Sequence, residues 1–240
     1  MIKFYKKIKN KKFKLLTDSR AIKLNINLKG EIKEVIFSHK KKKYKAKGSI
    51  FILACSGLGT PRLLLNSKNK EFPDGIANRS GLVGKNLMLH PLGYVEGTFK
   101  NYLGSNIGPQ GCNIYSHQFY ETNKKNKYKR GYTIQVLRSG NVINTAEQLL
   151  KFNKIKFGKK FYDSFFEHYG KQIPLAIISE DLPELHNRVE IDKNNLDSTG
   201  MPGVKVFYKI SKNTKEILKD GLKKGTLLMN KAGAKKIFSY

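Results

Sequence analysis

Between Ser49 and Pro61 the chain reads S-I-F-I-L-A-C-S-G-L-G-T-P, and the residue types here suit close contact with a ligand. Small side chains at Ala54, Cys55, Ser56, Gly57 and Gly59 let a ligand approach backbone amides closely. Thr60 is a residue type that caps a helix, and Pro61 fits a first helical turn, where no backbone N–H is needed. The free N–H groups of such a helix start favour an anion. Cys55 and Ser56 are also nucleophile types. A covalent nucleophile needs a neighbouring base, and none can be placed from the sequence. Ser56 lacks the G-x-S-x-G frame of a hydrolase, and Cys55 reads as a small buried hydrophobe.

The other reactive side chains are dispersed. His39, His90, His117, His168 and His186 share no metal-ligand spacing, so no metal site is expected. His90 precedes a proline and reads as structural. His117 falls in the aromatic and polar run Tyr115-Ser116-His117-Gln118-Phe119-Tyr120; it reads as a strand-face histidine, with the lining of a substrate cavity as the alternative. Glu180-Asp181, followed by Leu-Pro and a strand pattern, reads as a turn cap or an ion-pair partner of Arg188 rather than an acid/base pair.

The elements that would hold these residues follow from periodicity. Residues 13–17, 20–27, 32–37 and 43–47 form a small β-meander, with Ile22, Leu24 and Ile26 on one face. Residues 50–54 are an apolar, β-rich run expected to be a strand buried on both faces. A turn and a helix follow, and residues 66–91 are polar and glycine-rich loop. Strand patterns recur at 92–99, 113–119, 132–137, 173–179, 188–191 and 204–208. Helical patterns occupy 146–152, 161–169 and about 213–231, the last with Ile217, Leu218, Leu222 and Leu228 as its stripe. The expected fold is α+β. Its first part, residues 1–90, is a meander feeding a buried strand–turn–helix; its second, residues 91–240, is an antiparallel sheet with helices.

The segment Ser56-Gly57-Leu58-Gly59-Thr60-Pro61-Arg62-Leu63-Leu64, with Gly81-Leu82-Val83-Gly84-Lys85-Asn86-Leu87 and His90-Pro91 after it, resembles the GMC (glucose–methanol–choline) family of flavin-dependent oxidoreductases. The resemblance is especially to its choline-dehydrogenase-like and gluconate-dehydrogenase-like members. The first segment is similar to the family's second signature, where a small-residue turn and a Ser/Thr-Pro pair open a helix beside FAD. The second is similar to its V-G-x-N-L-x-x-H-P passage into the substrate domain. Glu180-Asp181-Leu182-Pro183, Asn187-Arg188-Val189-Glu190-Ile191-Asp192 and Met201-Pro202 continue the match. Gly57 departs from it, standing where Ala, Ser, Thr or Pro is usual, and Asn66-Ser67-Lys68-Asn69 replaces the usual Ser-Gly-Ile-Gly ending.

The resemblance implies a partial FAD-binding domain over residues 1–90 and a substrate-binding domain over 91–240. It implies FAD beside Ala54, Cys55, Ser56, Gly57 and Thr60, with Ala21 near adenine, and a small alcohol or sugar-acid-like substrate oxidised at CH–OH. Family members also carry a strand–G-x-G-x-x-G–helix unit for the FAD pyrophosphate and a later segment with the catalytic histidine. No G-x-G-x-x-G occurs in this sequence, and Tyr240 is its last residue. The chain is therefore read as the central part of a larger or split enzyme, inactive alone, with no catalytic residue of its own to name.

Composition bounds the alternatives. The chain has 240 residues, 39% of them hydrophobic, enough for a packed core. Its net charge of +29 admits a second reading as a basic nucleic-acid-binding protein. Most of the basic residues are lysine, whereas bidentate phosphate and guanine recognition favours arginine, so no specific nucleic acid is expected. The two cysteines, Cys55 and Cys112, lie far apart, as suits a reducing compartment. Neither a signal-peptide pattern nor a membrane-length apolar run is legible, and the expected location is cytoplasmic.

Overall fold

The computed structural model describes residues 13–108, 111–151 and 154–240. The lysine-rich residues 1–12, and Phe152 at the end of an expected helix, lie outside the described residues. Among the described residues, ten strands, all paired antiparallel, and four helices make an α+β fold in two compact units.

The first unit takes the chain up to Leu87 together with Glu184–Tyr208, so it recruits a late segment that the sequence reading grouped with the substrate side. β1 (Ser19–Ile26), β2 (Ile32–His39) and β3 (Lys42–Lys47) form the expected meander. Its alternating apolar face packs on α1 (Ser56–Asn66), while β8 (Arg188–Leu196) and β9 (Pro202–Phe207) pair as a separate ribbon. Leu24, Leu63, Ile76 and Met201 are the core, with Ala21, Ile22, Ile26 and Leu53 against it. Burial of Leu24 and Leu63 contributes about 1.5–3 kcal/mol each.

Two expectations fail in this unit. Residues 50–54 belong to no strand, and Ile50 and Ile52 are 80% and 85% exposed. A strand buried on both faces needs a neighbour on each side and a layer over each face. Among the described residues nothing pairs with this segment, and only its inward members, Phe51 and Leu53, find cover. Residues 13–17 are likewise not a strand, and Phe13, Leu15 and Leu16 are exposed.

The second unit comprises Met88–Pro183 and Lys209–Tyr240. Its sheet runs β10-β4-β7-β6-β5, from β10 (Lys236–Ser239), β4 (Leu92–Thr98), β7 (Gln172–Ser179), β6 (Tyr132–Leu137) and β5 (Cys112–Ser116). This is the antiparallel sheet expected from the alternation at 92–99 and the buried-strand pattern at 173–179. α2 (Val142–Lys151) and α3 (Lys159–His168) pack on each other, and α4 (Lys212–Lys231) lies on β4, β6, β7 and β10. Val95, Tyr132, Leu175, Ile177, Ile217 and Met229 form the core.

The buried stripe of α4 is Thr214, Ile217, Gly221, Gly225 and Met229, and Leu228 is exposed, contrary to expectation. Glycine explains the difference. A Cβ at Gly221 would lie 2.3 Å from Ile177 Cγ2, and one at Gly225 would lie 3.0 Å from Val95 Cγ2. The helix backbone therefore rests on the sheet through its glycines. Glu180 pairs with Arg130 at 3.6 Å and not with Arg188, whose guanidinium bonds Glu190. Asp181 is buried, where it accepts the Thr214 hydroxyl at 2.8 Å and the Leu182 amide at 3.1 Å.

Candidate functional site

The small-residue turn is itself the first turn of a helix. α1 begins at Ser56, four residues before Thr60, and Cys55 is its N-cap residue without a side-chain capping bond. Thr60 acts from inside the helix, its Oγ1 accepting the Cys55 amide at 3.2 Å. Pro61 therefore lies within the helix and offers no N–H to the carbonyl one turn back. Ser56 carries the entry bend at φ +64°, a conformation disfavoured for a residue with a Cβ. Ala54, Cys55, Ser56 and Gly57 are exposed and Thr60 is half-buried. Cys55 is thus not the buried hydrophobe the sequence suggests, because the segment leading to it is itself uncovered.

Ala21, from β1, and Cys55 meet on one groove of about 270 Å³ with Ser19, Arg20, Gly59, Arg62, Leu63 and Met201. Ala54, Ser56, Gly57 and Thr60 belong to the same helix start but not to the groove wall. At Gly59 a Cβ would lie 3.0 Å from Cys55 Cβ, so glycine keeps the wall open there. A groove of this size takes one ring system rather than a whole dinucleotide. The residues present fit one end of an extended cofactor.

Arg62 fixes the groove's far wall. Its Nε donates to the Pro202 carbonyl at 2.7 Å, and its Nη2 donates to the Met201 carbonyl at 2.9 Å and to Asp197 Oδ2 at 2.8 Å. Arg20 Nη1 reaches the same oxygen at 3.2 Å. Asp197 Oδ1 accepts from the Thr199 hydroxyl at 2.6 Å and from the amides of Thr199 and Met201 at 2.8 and 3.2 Å. Burial alone would raise this carboxyl's pKa. The bonds from Thr199, Arg62 and Met201 outweigh it and hold the group well below the usual carboxylate range. The sequence reading missed Arg62 and Asp197. The D-S-T-G run signals the Asp197 turn, but no local pattern reveals a pair so far apart in sequence.

The glycine-rich passage to Leu87 straps the same unit together. Gly84 lies at φ +86°, and its carbonyl accepts the Val189 amide at 2.7 Å. Lys85 bridges Arg188, and the Leu87 amide donates to the Asn187 carbonyl at 2.8 Å. His90 is exposed. In the second unit, Tyr115, Ser116, Gln118 and Phe119 line an apolar groove of about 440 Å³ with Leu227 and Leu228. His117 is exposed past the end of β5, between the rings of Tyr115 and Tyr120 at 4.9 and 5.6 Å. Among the described residues no three His, Cys, Asp or Glu side chains cluster as metal ligands, and no helix is long and apolar enough to cross a membrane.

No protein-family model matches the chain. Individual proteins do. Over 172 residues it is 35% identical to 2-methyl-1,2-propanediol dehydrogenase of Mycolicibacterium austroafricanum, a match covering 71% of this chain and 31% of that enzyme. Over 199 residues it is 24% identical to the fructose dehydrogenase large subunit of Gluconobacter japonicus, covering 82% and 36%. These relatives are GMC-type oxidoreductases. The chain belongs to the GMC oxidoreductase family. A further GMC relative is 6'''-hydroxyparomomycin C oxidase of Streptomyces lividus, 23% identical over 204 residues, 82% of this chain and 33% of that enzyme. The chain thus spans about a third of the length of these GMC relatives.

Proposed function

We propose that this chain is part of an FAD-dependent GMC oxidoreductase that oxidises the CH–OH group of an alcohol or sugar-like donor. The observation that carries this reading is the meeting of Ala21 and Cys55 on one groove beside an exposed helix start of small residues. The relatives' names, a diol dehydrogenase, a fructose dehydrogenase subunit and a hydroxyparomomycin oxidase, support a hydroxyl-bearing substrate.

In this reading the backbone at Ala21 lies along the adenine end of the cofactor. Ala54, Cys55, Ser56, Gly57 and Thr60 give the flavin side its close approach, Gly57 because it carries no side chain. Arg62 orients the wall by gripping Asp197 and the carbonyls of Met201 and Pro202. Bound FAD supplies the hydride-accepting chemistry. The pyrophosphate cradle and the base that takes the hydroxyl proton come from polypeptide corresponding to the uncovered two-thirds of the relatives.

The test is flavin absorbance and alcohol-dependent dye reduction, on the purified chain and on the chain mixed with segments built on the uncovered parts of the diol dehydrogenase. The chain alone should hold no stoichiometric FAD, because the pyrophosphate is the most firmly anchored part of a dinucleotide. The mixture should bind FAD and turn over. Turnover by the chain alone would refute the division of labour, and a flavin-free mixture would refute the cofactor.

A further inference from the structure

Ser19 and Arg20 border a second groove of the first unit, about 430 Å³ in volume, whose chemistry is cationic. Lys40 and Lys41 line it with Arg20, and the hydroxyl residues Ser38, Ser198 and Thr199 complete it beside one carboxylate, Asp18. Lys40 and Lys41 are the whole connection between β2 and β3, since His39 pairs directly with Lys42. Both have positive φ, +48° and +65°. That is the signature of a type I′ turn, which Asn-Gly adopts readily and residues with long side chains do not.

Lysines are common on this chain, so two more on its surface would mean little. These two are distinguished by conformation and company. Strained backbone gathers where a site requires it, and neither amine has an acidic partner among the described residues. The Ser38 and Ser198 hydroxyls also make no hydrogen bond there. Asp197 is already held by Arg62 and Arg20, so the Arg20 guanidinium keeps other N–H donors for a ligand.

We propose that the groove bounded by Arg20, Lys40 and Lys41 binds a phosphate group. Three cations and unpaired hydroxyls in a concave site match a tetrahedral oxyanion. The phosphate belongs either to a free oligophosphate or to a nucleotide other than FAD, whose base adds contacts beyond this groove.

The experiment is calorimetric titration of the full chain with pyrophosphate, ADP and adenosine at fixed ionic strength. Saturable one-to-one binding of pyrophosphate or ADP is expected. The double variant K40N/K41G places the preferred residues in the turn, so it should melt at a higher temperature while binding at least about tenfold more weakly. K68N/K70N removes the same charge from exposed positions of the same unit and should change affinity less than about twofold. ADP tighter than pyrophosphate identifies a nucleotide; equal affinities identify a free oligophosphate. The proposal is overturned if neither phosphate saturates, if K68N/K70N weakens binding as much as K40N/K41G, or if adenosine binds as tightly as ADP.

Discussion

The carbonyl of Gly84 accepts the amide of Val189 at 2.7 Å, and a Cβ at Gly84 would lie 2.4 Å from the Val189 oxygen. The V-G-x-N-L passage is thereby closed against the N-R-V-E strand, so two family motifs prove to be two sides of one contact. Gly84→Ala combines a clash with backbone and a positive φ, and should destabilise by about 2–4 kcal/mol. Gly81 has φ +67° but nothing within 4 Å of its Cβ position; Gly81→Ala should cost only about 1 kcal/mol. Urea unfolding of the two variants measures the difference. Equal losses would show that the Gly84–Val189 approach is looser than described.

Asp197 gives the first unit a dependence on acid. Its carboxyl is held well below the usual range, so its stabilisation is present above the unfolded aspartate pKa, near 4, and is lost as pH falls towards the folded value. Asp197→Asn should cost about 2 kcal/mol at pH 7, with the gap to the native chain closing below about pH 4. A gap that persists unchanged in acid would assign the effect to shape instead of charge.

Gly57 is a departure from the family pattern that the structure does not require. A Cβ there would meet only Leu87 Cδ1, at 4.0 Å, and the residue lies in the first turn of a helix. Gly57→Ala should therefore stabilise by up to about 1 kcal/mol, seen as a raised Tm. A loss of stability would mean that the helix start needs glycine's conformational freedom.

Glu96 is buried in the second unit, where Gln148 and Gln172 each donate to its Oε1 at 2.5 Å. Burial pushes its carboxyl above the ordinary range, although the Gln148 and Tyr94 bonds pull the other way. The fold thus favours the protonated form, and stability falls as pH rises from the unfolded pKa through the folded one. Glu96→Gln keeps the acceptor and removes the titration. It should gain about 1 kcal/mol at neutral pH and flatten the pH profile of chemical denaturation. A Gln variant less stable at pH 8 than the native chain would contradict this account.

How far the sequence could be read depends on how local the deciding contact is. The meander at Ile22, Leu24 and Ile26 was legible because alternation records which face is buried, and the strand at 173–179 because a near-continuous apolar run records cover on both faces. Residues 50–54 misled for the same reason: their composition records a strand with sheet neighbours, and no described residue supplies them. The α4 stripe misled because glycines carry no hydropathy, yet Gly221 and Gly225 make its contact with the sheet. At the groove, Ala21 and Cys55 were named through the family resemblance. Arg62 and Asp197 were not, since their pairing exists only once α1 and the β8–β9 ribbon have folded together.

The bare segment carrying Ile50 and Ile52 has a colloidal consequence. An apolar stretch whose backbone pairs with no strand among the described residues is a template on which a second copy can add. Against this stands the mutual repulsion of chains that each carry +29, a force that dissolved ions weaken. The chain should stay dispersed in dilute buffer and self-associate as ionic strength rises, the reverse of a protein held together by ion pairs. Light scattering across a salt series would follow the transition, and Ile52→Lys should move it to higher salt.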